Sequence, residues 1–240
     1  MNDNLKKLQE LVDSSENIVF FGGAGVSCES GIPDFRGADG LYLQKYKYPP
    51  EEILSREFFF SNTEDFFDFY KKKMIYKDAK PNDAHKKLAE LEKAGKLRAV
   101  ITQNIDGLHQ AAGSEQVVEL HGSVLDNICL ECSMSYDVDM VIKSSGVPIC
   151  PVCGGVVKPK VVLYGEPLDN KVVTRAIYEV SHADLLIIGG TSLTVHPAAS
   201  IIDYYYGDEI VVINKSGAGT SRATLEIKEP IGEVLSKITV

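Results

Sequence analysis

The chain is 240 residues long, which suits one large domain or one domain carrying insertions. Apolar residues make up 44% of it, and with 20 glycines and 10 prolines it fits neither a disordered nor a collagen-like chain. Its 25 basic and 34 acidic side chains give a net charge of −9, the wrong sign for a non-specific binder of nucleic acid or anionic membrane.

Residues 1 to 7 lead into no apolar signal core, and no apolar run approaches the roughly 18 to 20 residues of a membrane span. Leu5, Leu8, Leu11 and Val12 recur at helical spacing, so residues 3 to 13 are expected to form an amphipathic helix. A short buried strand follows at Ile18-Val19-Phe20-Phe21 and runs into Gly22-Gly23-Ala24-Gly25. Further compact runs stand at 99–101, 117–120, 185–188 and 210–213, mostly β-branched and bounded by polar or glycine residues. Runs that are apolar at successive positions suit parallel strands covered on both faces. Helical patterns lie between them at 84–91 and 168–181. Strands alternating with helices predict a doubly wound, mostly parallel α/β sheet.

Two stretches break the alternation. Residues 36–79 are rich in aromatic and charged side chains and are expected to form a helical insertion. Residues 122–156 carry paired cysteines and no long periodic pattern. The remainder, residues 1–35, 80–121 and 157–240, is expected to build the main sheet domain.

Of the five cysteines, four form the pairs Cys129-x-x-Cys132 and Cys150-x-x-Cys153, seventeen residues apart. That spacing is the pattern of a zinc ribbon with four thiolates in tetrahedral array. A closed four-sulfur shell leaves no position for water or substrate, so one structural Zn2+ is expected. Thiolates that hold metal also point to a reducing compartment, and a soluble cytoplasmic protein is the expectation. Zinc ribbons also bind nucleic acid, but Glu131, Asp137 and Asp139 outnumber Lys143 between the cysteines, so no strong nucleic-acid binding is expected.

Gly23-Ala24-Gly25 directly after a strand lets backbone approach a pyrophosphate, although a G-x-G also marks an ordinary tight turn. A dinucleotide fingerprint would place a third glycine where Cys28 stands. Asn104 and Asp106 follow the strand at 99–101, where ligand-contacting groups collect in open α/β sheets; either is equally suited to capping a helix. His121 follows the strand at 117–120, and an imidazole there can take a hydroxyl proton near neutrality. His85, His109 and His182 are expected to be packing or surface residues.

The run Gly23 to Gly37 matches G-A-G-x-S-x-x-S-G-I-P-D-F-R-G, and at this point the chain resembles the sirtuins, the NAD-dependent protein deacylases. The likeness continues in order through Thr102-Gln103-Asn104-Ile105-Asp106, His121-Gly122, Val161 to Glu166 and Gly190-Thr191-Ser192-Leu193. It spans nearly the whole chain. One departure is Tyr164, where the family usually has phenylalanine.

The resemblance implies a Rossmann-like NAD-binding domain, a zinc module and a helical insertion. It implies that Gly23, Ala24, Gly25, Cys28, Phe35, Arg36, Gln103, Asn104, Ile105, Asp106, Gly190, Thr191, Ser192 and Asn214 bind NAD. Asn104 would also orient the nicotinamide ribose, and Phe35 would shield the reactive face. Val162, Tyr164, Gly165, Glu166 and Val195 would contact the acyl-lysine peptide, added as a strand. His121 would be the general base. The reaction implied consumes NAD: the acyl oxygen attacks the ribose as nicotinamide leaves, and the products are free lysine, nicotinamide and O-acyl-ADP-ribose. The runner-up is a protein mono-ADP-ribosyltransferase, which would pass the same activated ribose to a side chain. An NAD-dependent dehydrogenase is disfavoured, because the fingerprint and its acidic residue about 20 positions on are missing. Sirtuins that prefer succinyl- or malonyl-lysine carry a tyrosine and, three residues on, an arginine. Tyr70 and Lys73 stand at that spacing, and the expectation is that Tyr70 packs, Lys73 is solvated and neutral acyl groups are preferred. A monomer is expected.

Overall fold

The computed structural model of the chain describes residues 2–35, 40–217 and 219–240. Helix α1 (Asp3–Ser14) starts where the Asn2 side chain accepts the Leu5 N–H at 2.8 Å, and it buries Leu5, Leu8 and Val12. Strand β1 (Ile18–Gly22) is buried at all five positions. Two short 3-10 turns, Ala24–Val26 and Cys28–Ser30, follow it. Next come the helices α2 (Pro50–Ile53), α3 (Arg56–Ser61) and α4 (Thr63–Lys73). Helix α5 (Asp83–Lys93) opens on a capping box in which Asn82 and His85 satisfy each other's backbone donors.

The chain then runs through β2 (Leu97–Thr102), α6 (Leu108–Ala111) and β3 (Val117–Glu119). After them come β4 (Gly122–Cys129), β5 (Ser135–Asp137), α7 (Val138–Lys143) and β6 (Val157–Val161). The last part comprises α8 (Asn170–Ser181), β7 (Leu185–Gly189), β8 (Glu209–Ile213), β9 (Leu225–Ile227) and α9 (Ile231–Leu235).

Six strands form one sheet in the order β3-β2-β1-β7-β8-β9, with every neighbour parallel. Its central strands read apolar at successive positions because both faces are covered. Ile18, Phe20, Leu185 and Ile187 face one layer with Leu8, Leu88 and Val234. Val19, Phe21, Leu186 and Ile188 face the other, with Ala176, Val180 and Ile201. The connection order reverses between β1 and β7, and at such a switch point the strand ends part to leave a crevice.

The doubly wound expectation is met. Four of the described strands, β4, β5, β6 and β9, have no counterpart among the sequence-predicted runs. β9 is only three residues long, and β4 and β6 mix polar and apolar positions, with Pro159 inside β6. β4, β5 and β6 form a separate antiparallel sheet. The boundary expected between residues 156 and 157 therefore falls inside this small sheet, because β6 pairs with β4.

The two interruptions of the α/β pattern share one core. Phe58, Phe59, Phe66, Phe67, Phe69 and Tyr70 of the helical insertion pack with Val124, Val141, Val161 and Leu163. Phe67 meets Phe59, Phe66 and Tyr70 at centroid distances of 5.9, 5.2 and 6.4 Å, all three edge-on. Lys71 adds a polar tie, its ammonium lying 2.8 Å from the Ser144 carbonyl and 2.6 Å from that of Gly146. Truncating Phe67 to alanine is expected to cost about 3–5 kcal/mol, the usual range for a fully buried aromatic. Urea denaturation followed by circular dichroism measures this; an unchanged midpoint would show that the shared core carries no stability.

Candidate active site

At the switch point the turns after β1 and β7 touch backbone to backbone. Gly25 donates its N–H to the Gly190 carbonyl at 2.8 Å, and a Cβ on Gly25 would lie 2.8 Å from the Gly190 Cα. Gly190 itself has φ +59°, a conformation that favours glycine. The same turns line a cavity of about 650 Å³ that extends under the helical insertion and the small sheet.

Three polar side chains form a chain along its floor. Asn104 Nδ2 donates to Ser27 Oγ at 3.0 Å, and Ser27 Oγ donates to Asp106 Oδ2 at 2.6 Å. The other Asp106 oxygen accepts the Leu108 N–H at 2.9 Å. Ser27 is almost fully buried, so its one hydroxyl hydrogen is committed and its oxygen fixes the Asn104 amide. Behind Asp106 sit His85 and His109, both buried, with ring centroids 4.7 Å apart. Burial pushes both imidazoles well below the ordinary histidine range and keeps them neutral. The packing role expected for them fits this burial.

His121 stands at the end of β3. Its Nδ1 lies 2.9 Å from the Gln103 carbonyl, which can only accept, so Nδ1 carries the hydrogen and Nε2 keeps its lone pair. Burial lowers the imidazole pKa from 6.5, and the bond to Gln103 partly offsets this. The ring is therefore a neutral base at physiological pH. The His121 carbonyl accepts the Val162 N–H at 2.9 Å, which ties the residue to the segment after β6. Gly122 beside it has φ +73°, and a Cβ there would collide with the Lys160 carbonyl oxygen. Only glycine lets that segment lie so close.

Gly23, Ala24, Gly25, Phe35, Gln103, Asn104, Ile105, Asp106, His121, Gly190, Thr191, Ser192 and Asn214 all line this one cavity. So do Val162, Tyr164, Gly165, Glu166 and Val195. Gln103 Nε2 reaches Thr191 Oγ1 at 3.1 Å, and Asn214 Nδ2 reaches the Thr191 carbonyl at 3.1 Å, joining three strand ends. Arg36 lies outside the described residues. Cys28 is the exception: it stands off the cavity wall, half-buried, its Sγ 3.7 Å from the Ala24 carbonyl. A 3-10 turn rather than a long helix begins there. Burial, and then the Asp34 charge, push the thiol pKa up rather than down.

Glu166 lines the cavity, yet one of its oxygens is engaged behind it. That oxygen accepts the Leu163 N–H at 2.9 Å and lies 3.2 Å from Lys158 Nζ, so the carboxylate braces the segment that carries Tyr164. Ser27, Thr194 and His196 also line the cavity and were not among the site residues expected from the sequence. For Ser27 the signal was present, since it lies inside the glycine-rich signature. Tyr70 is fully buried and stacks on Phe66 at 5.5 Å, while Lys73, expected to be solvated, is half-buried and reaches Gln44 at 3.2 Å. Both line the cavity.

The fold and site match known proteins. A Sir2 family model matches residues 23–197. The chain belongs to the Sir2 family. An NAD-dependent protein deacetylase of Clostridium perfringens is 57% identical, with 99% of each chain covered. One of Cutibacterium acnes is 46% identical, with 97% of this chain and 96% of the relative covered. Among solved structures, a Sir2 enzyme 43% identical gives a TM-score of 0.89 over 99% of this chain and 96% of that one. A Sir2 complex with a p53 peptide and NAD+ gives 0.85 at 39% identity over 96% and 95%.

Cys129, Cys132, Cys150 and Cys153 bring their sulfurs within 4.8 Å of one another, and none is in a disulfide. Cys129 lies 3.4 Å from Cys153 and Cys132 3.7 Å from Cys150. Zn–S bonds of about 2.3 Å in a tetrahedron place sulfurs roughly 3.8 Å apart, so the four fit one zinc ion. Zinc removal by a chelator, or Cys150→Ser, is expected to lower the melting temperature and abolish activity together, because the metal supplies folding energy to the small sheet. Calorimetry with metal analysis checks this; a zinc-free protein with unchanged melting and rate would contradict it.

Proposed function

We propose that this Sir2 family member removes acetyl and other neutral acyl groups from lysine side chains of proteins, consuming NAD. The observation that carries this reading is His121, a neutral base with a free Nε2, on the wall of the cavity whose floor is the Asn104–Ser27–Asp106 chain. NAD supplies a ribose carbon whose bond to a cationic nicotinamide nitrogen is easily broken. Asp106, with both oxygens already oriented, offers an acceptor for the nicotinamide amide. Asn104, fixed by Ser27, orients the ribose, and Gln103 and Asn214 contact hydroxyls. His121 takes a ribose hydroxyl proton at Nε2, and its Nδ1–H bond to Gln103 stabilises the charge gained. Phe35 covers the reacting carbon against water.

The acyl-lysine enters between Val162, Tyr164 and Val195, with its peptide backbone laid along Gly165 and Glu166. Among the described residues no helix is long and apolar enough to cross a membrane. We place the enzyme in the reducing cytoplasm as a monomer acting on proteins rather than nucleic acid, in keeping with its free thiols and net charge of −9.

His121→Ala is expected to lose about 10²–10⁴-fold in kcat while still binding NAD. In the wild type, activity should fall on acidification, with an inflection below about 6.5, as the lowered pKa of His121 is crossed. Calorimetry and a pH–rate profile with an acetyl-lysine peptide test both; loss of NAD binding equal to the loss of rate would contradict the assignment. Mass spectrometry of that peptide also tests the reaction, since a gain of ADP-ribose in place of acetyl loss would make the protein an ADP-ribosyltransferase.

On acyl choice, Lys73 is half-buried on the cavity wall, its ammonium is engaged by Gln44, and it lacks the planar fork that matches a carboxylate. Acetyl-lysine is therefore expected to exceed succinyl-lysine in kcat/KM in both wild type and Lys73→Ala. A succinyl preference that collapses in Lys73→Ala would overturn this.

A further inference from the structure

Tyr164 carries a hydroxyl where the resemblance to the sirtuins implies a phenylalanine, which has none. In this structure that hydroxyl is hydrogen-bonded to the hydroxyl of Tyr42, 122 residues earlier in the chain. Both phenols project from backbone that is held on two sides. The Tyr164 N–H donates to the Leu54 carbonyl at 2.9 Å, and the Tyr164 carbonyl accepts the Arg56 N–H at 2.8 Å. Ser55 and Tyr164 thereby form a parallel bridge to the helical insertion. On the other side, Tyr42 donates its N–H to the Phe35 carbonyl at 3.0 Å, and Leu41 donates to the Asp34 carbonyl at 2.9 Å.

The Tyr42 ring also packs edge-on against the Phe35 ring, with centroids 5.7 Å apart. Phe35 and Tyr164 line the cavity, whereas Tyr42 is not among its lining residues. A continuous path of contacts therefore runs from the acyl-lysine wall, through two hydroxyls, to the aromatic ring that covers the cofactor.

We propose that the Tyr42–Tyr164 hydroxyl pair is a strut that positions Phe35 over bound NAD and couples its placement to the acyl-lysine wall. The inference rests on the deacetylase reading of the cavity. Tyr42 and Tyr164 are then positioning residues for NAD, acting through Phe35. A lysine chain packed against Tyr164 steadies the strut and with it Phe35, so peptide raises NAD affinity. By linkage, NAD raises peptide affinity by the same factor. A phenylalanine at position 164 provides the same apolar wall but no hydroxyl, so the wall and the strut are separable functions of one side chain.

Tyr42→Phe and Tyr164→Phe each delete one hydroxyl and keep the ring, so the packing around Phe35 survives. The NAD dissociation constant, measured by calorimetry with and without saturating acetyl-lysine peptide, is compared in wild type, both single variants and the double. Each single variant is expected to weaken NAD binding in the presence of peptide by about 2- to 10-fold, the net worth of one hydrogen bond. The double variant should be no weaker than either single one, because both remove the same bond. The peptide-induced gain in NAD affinity should shrink alike in all three variants, and the NAD-induced gain in peptide affinity by the same factor, while the dissociation constant of peptide from Tyr42→Phe without NAD should stay at the wild-type value. Single variants that bind NAD like the wild type, or losses that add in the double, overturn the strut. A wild-type protein that releases no nicotinamide with NAD and acetyl-lysine peptide overturns the deacetylase reading instead, so the two failures are told apart by the wild type alone.

Discussion

The contact between Gly25 and Gly190 sets the geometry on which the site depends. Strands β1 and β7 lie side by side in register, but the chain leaves them toward opposite halves of the sheet. Their turns must diverge while staying close enough to share one cavity wall. A side chain on Gly25 would press into the Gly190 backbone, and one on Gly190 would press into that of Gly25 and Val26. Glycine at both places resolves this, and the N–H of Gly25 is then used on the Gly190 carbonyl. The first turn thus serves as a structural joint as well as part of the cavity wall. Of the two readings open from sequence, the tight turn is what the backbone contact shows.

Above that joint the wall is built from parts distant in sequence. Helix α4 of the insertion, strands β4 and β6, and the segment after β6 share an aromatic core, so the side of the cavity that carries Val162 and Tyr164 has a single support. The sulfur cluster sits at the far end of the same small sheet, since Cys129 ends β4 and β6 pairs beside it. A metal there can influence catalysis only through the rigidity of β4, whose first residues adjoin His121. This explains how a closed, chemically silent ion can bear on the cavity-lining His121 without touching it.

Much of this was legible in the sequence, for identifiable reasons. The strands β1, β2, β7 and β8 announce themselves because their central residues are apolar and buried at successive positions, with Arg98 and Glu209 confined to the strand starts. The cysteine pairs are legible because metal geometry fixes ligand spacing. The helices at 84–91 and 168–181 followed from periodicity, and the structure extends the first to Asp83–Lys93 and trims the second to Asn170–Ser181. What escaped depends on tertiary context. β6 carries a proline and a buried Lys158 paired with Glu166, so neither alternation nor a continuous run marks it as a strand. Cys28 sits inside a cofactor signature, yet the turn carries its thiol off the cavity wall. That the insertion and the small sheet share a core could not be read from either alone. Ser27 as the hub between Asn104 and Asp106 depends on residues 77 and 79 positions away.

His121 shows how such context fixes the protonation and tautomer of one imidazole. Burying an imidazole disfavours its charged form, which by itself makes it a weaker base. The protein limits that penalty at one atom only, by giving Nδ1 a carbonyl acceptor from the strand-end residue Gln103. That bond fixes the tautomer, leaves Nε2 as the single basic position and strengthens when the ring becomes positive. The donor of that carbonyl also lines the cavity through its side chain, so one residue orients the base by its backbone and reaches Thr191 by its amide. Moving β3 relative to β2 by one residue would break the first of these relations. The pairing of Thr102 with Glu119, which places Gln103 beside His121, is therefore as much a part of the site as the imidazole itself.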